Sequence, residues 1–168
     1  MTTQINLPAE LVERALCVIE ANRASGRRIA VAESCTGGLV AAALTESAGS
    51  SDVFEAGFIT YSNAAKVRQL NVREDVIDTF GAVSVATAWA MARGALQASN
   101  ADVAVAITGI AGPEGGSANK PVGTVVFARA ERDGNPAEIV ADQKLFEDRG
   151  RADVRLQAAL CALDLLMP

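Results

Sequence analysis

The sequence predicts an α/β fold: a three-layer α/β/α sandwich over a mixed sheet, parallel strands early and an antiparallel pair late, with residues 1–168 in one domain. Three observations carry this prediction. Strand-length apolar runs alternate with segments of helical period over the first hundred residues, the pattern of a layered α/β domain. Val103 to Thr108 is a continuous apolar run, expected of a strand buried on both faces. Thr124 to Ala130 and Ala137 to Phe146 read as two strands joined around Asp133-Gly134-Asn135-Pro136, a hairpin signal.

In chain order, Leu7 to Ala24 places Val12, Ala15, Leu16 and Ile19 on one helix face, and Ser25-Gly26 closes the helix. Ile29 to Ala32 is the first strand. It stops at Glu33-Ser34-Cys35-Thr36-Gly37-Gly38, and an alanine-rich helix from Gly37 to about Glu46 follows, with Ser34 or Thr36 as its cap. Phe54 to Tyr61 has the aromatic and β-branched content of a strand, and Ser62 or Asn63 caps a short helix holding Lys66, Val67 and Leu70. Val72 to Phe80 is a further helical segment. Gly81-Ala82-Val83 then turns into a helix capped by Ser84 that contains Trp89 and runs to about Ala98. Gly109 to Gly123 is a glycine-rich loop, too irregular for packed structure. The final helix, about Arg151 to Leu166, aligns Val154, Ala158, Cys161 and Leu165.

Composition bounds the function. At 168 residues, 50% hydrophobic and 21% charged, the chain suffices for one globular core. No apolar run approaches a membrane span, and Met1 to Pro8 lacks a basic region followed by an apolar one, so the cytoplasm is the expected location. The net charge of −5, without clustered Lys/Arg, argues against a nucleic-acid partner. Three cysteines match no disulfide framework or metal spacing; Cys17 and Cys161 fall in helical patterns and only Cys35 in a turn. Histidine is absent. That removes Ser-His-Asp and Cys-His sites and imidazole acid–base chemistry, so a nucleophile must be activated by lysine, tyrosine or a carboxylate.

Ligands of open α/β sheets gather beyond the carboxyl ends of the strands, and Glu33-Ser34-Cys35, Thr60-Tyr61-Ser62-Asn63 and Thr108-Gly109 all fall at such ends. The turn after Ser34 joins a nucleophile to the free N–H groups of a helix start; a plain β–α connection with an N-cap and two turn glycines reads the same way. Lys66, five residues past Tyr61, reaches the same crevice, where desolvation lowers its pKa and lets it act as a base toward Ser34. A lysine in a first helical turn is more often a solvated surface group, Tyr61 a packing residue and Thr108 a strand terminator.

Four motifs taken together carry a family resemblance: Ala32-Glu33-Ser34-Cys35-Thr36-Gly37-Gly38, Thr60-Tyr61-Ser62-Asn63-Ala64-Ala65-Lys66, Gly81-Ala82-Val83-Ser84, and Thr108-Gly109-Ile110-Ala111-Gly112-Pro113-Glu114-Gly115-Gly116 with Lys120-Pro121-Val122-Gly123-Thr124. In order and over nearly the whole chain, they resemble the C-terminal domain of the competence/damage-inducible CinA proteins. The resemblance implies a stand-alone nicotinamide-nucleotide amidase of NAD salvage, hydrolysing the carboxamide of nicotinamide mononucleotide to nicotinic acid mononucleotide and ammonia. It implies no cofactor or metal, a small-molecule substrate and a homo-oligomer. By the same resemblance Ser34 is the nucleophile, Lys66 the general base and Tyr61 an assistant in proton transfer. Cys35, Thr36, Gly37, Gly38, Thr108, Gly109 and Gly112 line the substrate pocket. A basic residue is expected after Phe146, where Glu147-Asp148-Arg149-Gly150-Arg151 carries one extra residue: counting back from Val154-Arg155 favours Arg151, counting forward from Phe146 leaves Arg149.

Two other classes share these features. A nucleotide-binding module would be stabilised by its ligand without turning it over, and a competence- or damage-associated regulatory protein would use its apolar helices as an interface. Within the enzyme reading, Cys35 is a rival nucleophile.

Overall fold

A computed structural model describes residues 6–168; the expectation for Met1 to Pro8 falls in part on residues 1–5, outside the described residues. The elements are α1 (Ala9–Ser25), β1 (Ile29–Glu33), α2 (Leu39–Glu46), β2 (Phe54–Ile59), α3 (Asn63–Leu70), α4 (Glu74–Phe80), α5 (Val85–Gln97), β3 (Val103–Gly109), β4 (Thr124–Glu131), β5 (Val140–Leu145) and α6 (Arg151–Leu165). The strands form one sheet in the order β2-β1-β3-β4-β5. β2, β1 and β3 run parallel, and β4 and β5 antiparallel, as the sequence predicts.

Strand residues alternate in size as well as direction. Ile29, Val31, Val103, Val105, Ile107, Val125 and Phe127 face a core closed by α1, α2 and α6. Ala30, Ala32, Ala104, Ala106, Ala128 and Ala130 face the other core, closed by α3, α4 and α5. An alanine face lets a helix settle close to the sheet, and α5, with Ala88, Ala92 and Ala95 buried, occupies that side.

Several boundaries differ from expectation. The buried stripe of α1 is Leu11, Ala15, Val18, Ile19 and Asn22, so Leu16 and Cys17 are exposed; Asn22 takes a core position by donating to the Val18 and Leu166 carbonyls at 2.9 Å each. In α6 the buried set is Val154, Ala158, Ala159, Ala162 and Leu163, with Cys161 and Leu165 at its margin. Ala15, Ile19, Val154 and Ala158 are buried as expected; the rest of each stripe is shifted because two adjacent faces of these helices carry apolar residues and packing selects between them. No helix among the described residues is long and apolar enough to cross a membrane.

The topology puts the carboxyl ends of β1, β2 and β3 along one edge of the sheet. In register, Glu33 lies between Ile59 and Ile107, which brings Ser34, Thr60 and Thr108 together.

Candidate active site

The turn from Ser34 to Gly38 is held by backbone bonds at its start: Ser34 N–H donates to the Ile107 carbonyl at 2.9 Å, and Gly37 N–H to the Ser34 carbonyl at 3.0 Å. Neither Ser34 nor Thr36 caps α2. The cap is the Glu33 carboxylate, which accepts from Gly38 N–H (3.0 Å), Val40 N–H (3.2 Å) and Ala41 N–H (2.8 Å). Gly38 sits at φ +95°, where a side chain is strained, and that geometry turns its N–H back toward Glu33. The Cys35 and Thr36 N–H groups have no carbonyl or carboxylate acceptor among the described residues.

Ser34 is 8% exposed. Its Oγ lies 3.1 Å from Lys66 Nζ, which also donates to the Thr60 carbonyl at 2.8 Å. The expectation that a first-turn lysine is solvated fails here: Lys66 is 1% exposed, because α3, capped by Ser62 Oγ accepting from Ala65 N–H, lies with this position inward. Burial holds its pKa below the ordinary lysine value of 10.5, a nearby thiolate at Cys35 being the smaller, opposing influence. That thiolate is scarce, since burial pushes the Cys35 thiol up to about 11. Cys35 packs into the α1/α2/α6 core. A neutral, buried thiol is a poor nucleophile. Cys35→Ala is therefore expected to leave kcat within about threefold of wild type and to lower stability by about 1 kcal/mol, measured by steady-state assay and thermal melt.

The remaining candidates divide. Thr108, buried, donates from Oγ1 to the Ala82 carbonyl at 2.8 Å and ties β3 to the Gly81–Ser84 turn. Gly109 answers a close approach: a Cβ there would lie 2.8 Å from Val125 Cγ2 and 2.9 Å from the Thr124 carbonyl oxygen. Gly112 offers its carbonyl to Arg151 Nη1 at 2.7 Å. Arg151 Nη2 donates to the Tyr61 hydroxyl at 2.7 Å. Tyr61, 59% exposed, is thus engaged by Arg151 rather than by Lys66. Arg149 is exposed and pairs with Glu147 at 2.6 Å. Among the described residues, Arg151 bonds two other candidate residues, Gly112 and Tyr61, and Arg149 bonds none of them.

Two residues have roles that the sequence does not indicate. Glu33 is one, hidden because a strand-end carboxylate has no local capping spacing. The other is Arg155, one helical turn past Arg151, whose Nη2 donates to the Thr36 carbonyl at 2.8 Å. The buried hydroxyls Thr36 Oγ1 and Thr60 Oγ1 have no hydrogen-bond partner among the described residues. No cluster of metal-ligating side chains occurs among the described residues. A cavity of about 400 Å³ lined by Trp89, Arg93, Arg129 and Glu131 lies at the other end of the sheet, and no serine, cysteine or lysine lines it.

Comparison with known proteins follows the same lines. Residues 12–168 match the family described as the CinA C-terminal domain. A nicotinamide-nucleotide amidohydrolase PncC of Enterobacter agglomerans is 52% identical over 141 residues, covering 84% of each chain. The protein of that name from Escherichia coli (strain K12) is 48% identical over 158 residues, 94% of this chain and 93% of the relative. Among solved structures, the competence/damage inducible protein CihA from Agrobacterium tumefaciens superposes with a TM-score of 0.91 at 47% identity, covering 97% of both chains.

Proposed function

Because this chain belongs to the CinA C-terminal domain family, and its relatives over most of their length are nicotinamide-nucleotide amidohydrolases, we propose that it hydrolyses the carboxamide of nicotinamide mononucleotide through a Ser34–Lys66 pair. The observation that carries the mechanism is the 3.1 Å contact between Lys66 Nζ and Ser34 Oγ inside a buried site.

Neutral Lys66 accepts the Ser34 hydroxyl proton as Oγ attacks the carboxamide carbon, and the carbonyl oxygen becomes an oxyanion. Backbone N–H groups following Ser34 stabilise that charge; Cys35 and Thr36 supply them, since those of Gly38, Val40 and Ala41 are committed to Glu33. The intermediate collapses, the C–N bond breaks and the proton on Lys66 leaves with ammonia. Water then attacks the acyl-enzyme, giving its proton to Lys66. Collapse of the second intermediate restores the Ser34 hydroxyl and releases nicotinic acid mononucleotide. Every proton is carried by one amine, so neither histidine nor metal is required.

An acidic chain attracts a phosphate poorly at long range, so the substrate is held by short-range donors. Arg151, steadied by Tyr61 and Gly112, is assigned to the phosphate together with N–H groups of the Gly109–Gly116 loop. Arg151→Ala is expected to raise KM for nicotinamide mononucleotide by the equivalent of about 1.5–3 kcal/mol, roughly 10- to 150-fold, whereas Arg149→Ala leaves it unchanged. Free nicotinamide is expected to be a poor substrate for the wild type and for Arg151→Ala alike. Equal efficiency on free nicotinamide would move the phosphate site elsewhere.

The decisive experiment is ammonia release from nicotinamide mononucleotide, with the acid product identified by NMR. Ligand-induced stabilisation without turnover would instead indicate a binding module. The cytoplasmic location and homo-oligomeric state expected from the sequence belong to the same proposal, and cell fractionation and sedimentation test them.

A further inference from the structure

We propose that Glu33 is a positioning residue for this reaction: its carboxylate locks the nucleophile turn across Ser34 and closes the N-terminus of α2, leaving Cys35 and Thr36 N–H as the oxyanion donors. The proposal rests on the reading of Ser34 as the nucleophile.

Glu33 is completely buried, and its side-chain partners are three backbone N–H groups, Gly38, Val40 and Ala41. Burying a carboxylate without a cation is costly, and charge-assisted N–H bonds at the positive end of a helix offset that cost. Capping alone does not call for such an arrangement. In α3 and α5 of this same protein a serine hydroxyl, Ser62 or Ser84, caps by bonding the N–H three residues on. At α2 the acceptor is instead a carboxylate on the last residue of β1, between β2 and β3 in the sheet, reaching five to eight residues forward over the turn that contains Ser34.

The main chain of Glu33 closes the other side. Its carbonyl accepts Thr60 N–H at 2.8 Å; the Thr60 carbonyl accepts from Lys66 Nζ, and Lys66 Nζ meets Ser34 Oγ. Ser34 is bonded covalently to Glu33, so nucleophile and base are both referenced to one residue. From α6, Arg155 holds the Thr36 carbonyl, bracing the far side of the turn. A second consequence concerns ligand choice. The helix terminus nearest the nucleophile already holds an internal anion, so the substrate phosphate is directed away from it.

Glu33→Gln tests this, because an amide keeps one acceptor oxygen and turns the other into a donor facing backbone N–H. Four quantities are measured on the full chain: thermal melt, kcat and KM for nicotinamide mononucleotide, and the rate of covalent labelling by a fluorophosphonate with the labelled peptide mapped. The expected result is a folded variant whose KM stays within threefold of wild type while kcat and the Ser34 labelling rate both fall at least tenfold. A lowered melting temperature with kcat and labelling within threefold of wild type would assign Glu33 to stability alone and overturn the proposal; so would a raised KM at unchanged kcat. If Glu33→Gln does not fold, Glu33→Asp, which keeps the charge and shortens the reach by one methylene, carries the same readouts, and loss of fold in both also overturns it. Labelling of the wild type at a residue other than Ser34 would show that the nucleophile itself was misassigned, a failure distinct from any behaviour of the variants.

Discussion

Ser34→Ala is expected to lower kcat on nicotinamide mononucleotide by about 10⁴-fold or more, with the fold and product affinity retained, because removing a nucleophile removes the covalent route and not the binding surface. The substitution is mild for the structure. Ser34 contributes its N–H to Ile107 and its carbonyl to Gly37, and alanine keeps both. Among the described residues the side chain's one hydrogen bond is with Lys66, whose amine retains the Thr60 carbonyl as acceptor. Steady-state assays beside a thermal melt check the expectation. Near-normal turnover in Ser34→Ala together with loss of turnover in Cys35→Ala would transfer the nucleophile to the neighbouring thiol.

Lys66 variants follow in size. General-base removal costs about 10²–10⁴-fold in kcat, and Lys66→Arg is expected to fall in that range despite keeping a cation, since a guanidinium cannot take up the serine proton. The wild-type rate should rise with pH along a limb lying below the ordinary lysine value of 10.5, because burial favours the neutral amine. The same shift governs stability. In the unfolded chain Lys66 is protonated up to its ordinary pKa, while in the folded chain it loses the proton at a lower pH, so between the two values the unfolded state binds more protons. Folding stability therefore gains with rising pH through that window. Comparing wild type with Lys66→Met by urea unfolding below pH 9 isolates this contribution, because the Cys35 thiol, displaced upward from 9.0 to about 11, contributes only at higher pH. The wild-type curve should steepen relative to the variant. Parallel curves, or an active Lys66→Arg, would remove the neutral amine from the mechanism.

Legibility followed the range of the interactions involved. Ser62 and Ser84 were readable as caps because the acceptor and the N–H it serves are three residues apart in sequence. The strand ends were readable because Val103 to Thr108 advertises burial through its own composition. Glu33 was not, since its role depends on a turn that folds Gly38, Val40 and Ala41 back onto it. The choice between Arg149 and Arg151 turned on an insertion that spacing alone left ambiguous. In the structure the start of α6 brings Arg151 to Gly112 and Tyr61 and leaves Arg149 with Glu147 in solvent.

The sequence by itself determined the α/β alternation, the mixed sheet, the strand-end clustering of Ser34, Thr60 and Thr108, and the exclusion of histidine chemistry, all properties of residue type and local period. Only the tertiary structure decided that Lys66 is a buried amine against Ser34, that Cys35 belongs to the core, and that Glu33 and Arg155 brace the Ser34–Gly38 turn. Desolvation and long-range hydrogen bonding have no sequence signature. They arise when segments 32 residues apart, as Ser34 and Lys66 are, or 119 apart, as Thr36 and Arg155 are, close on one another and exclude water.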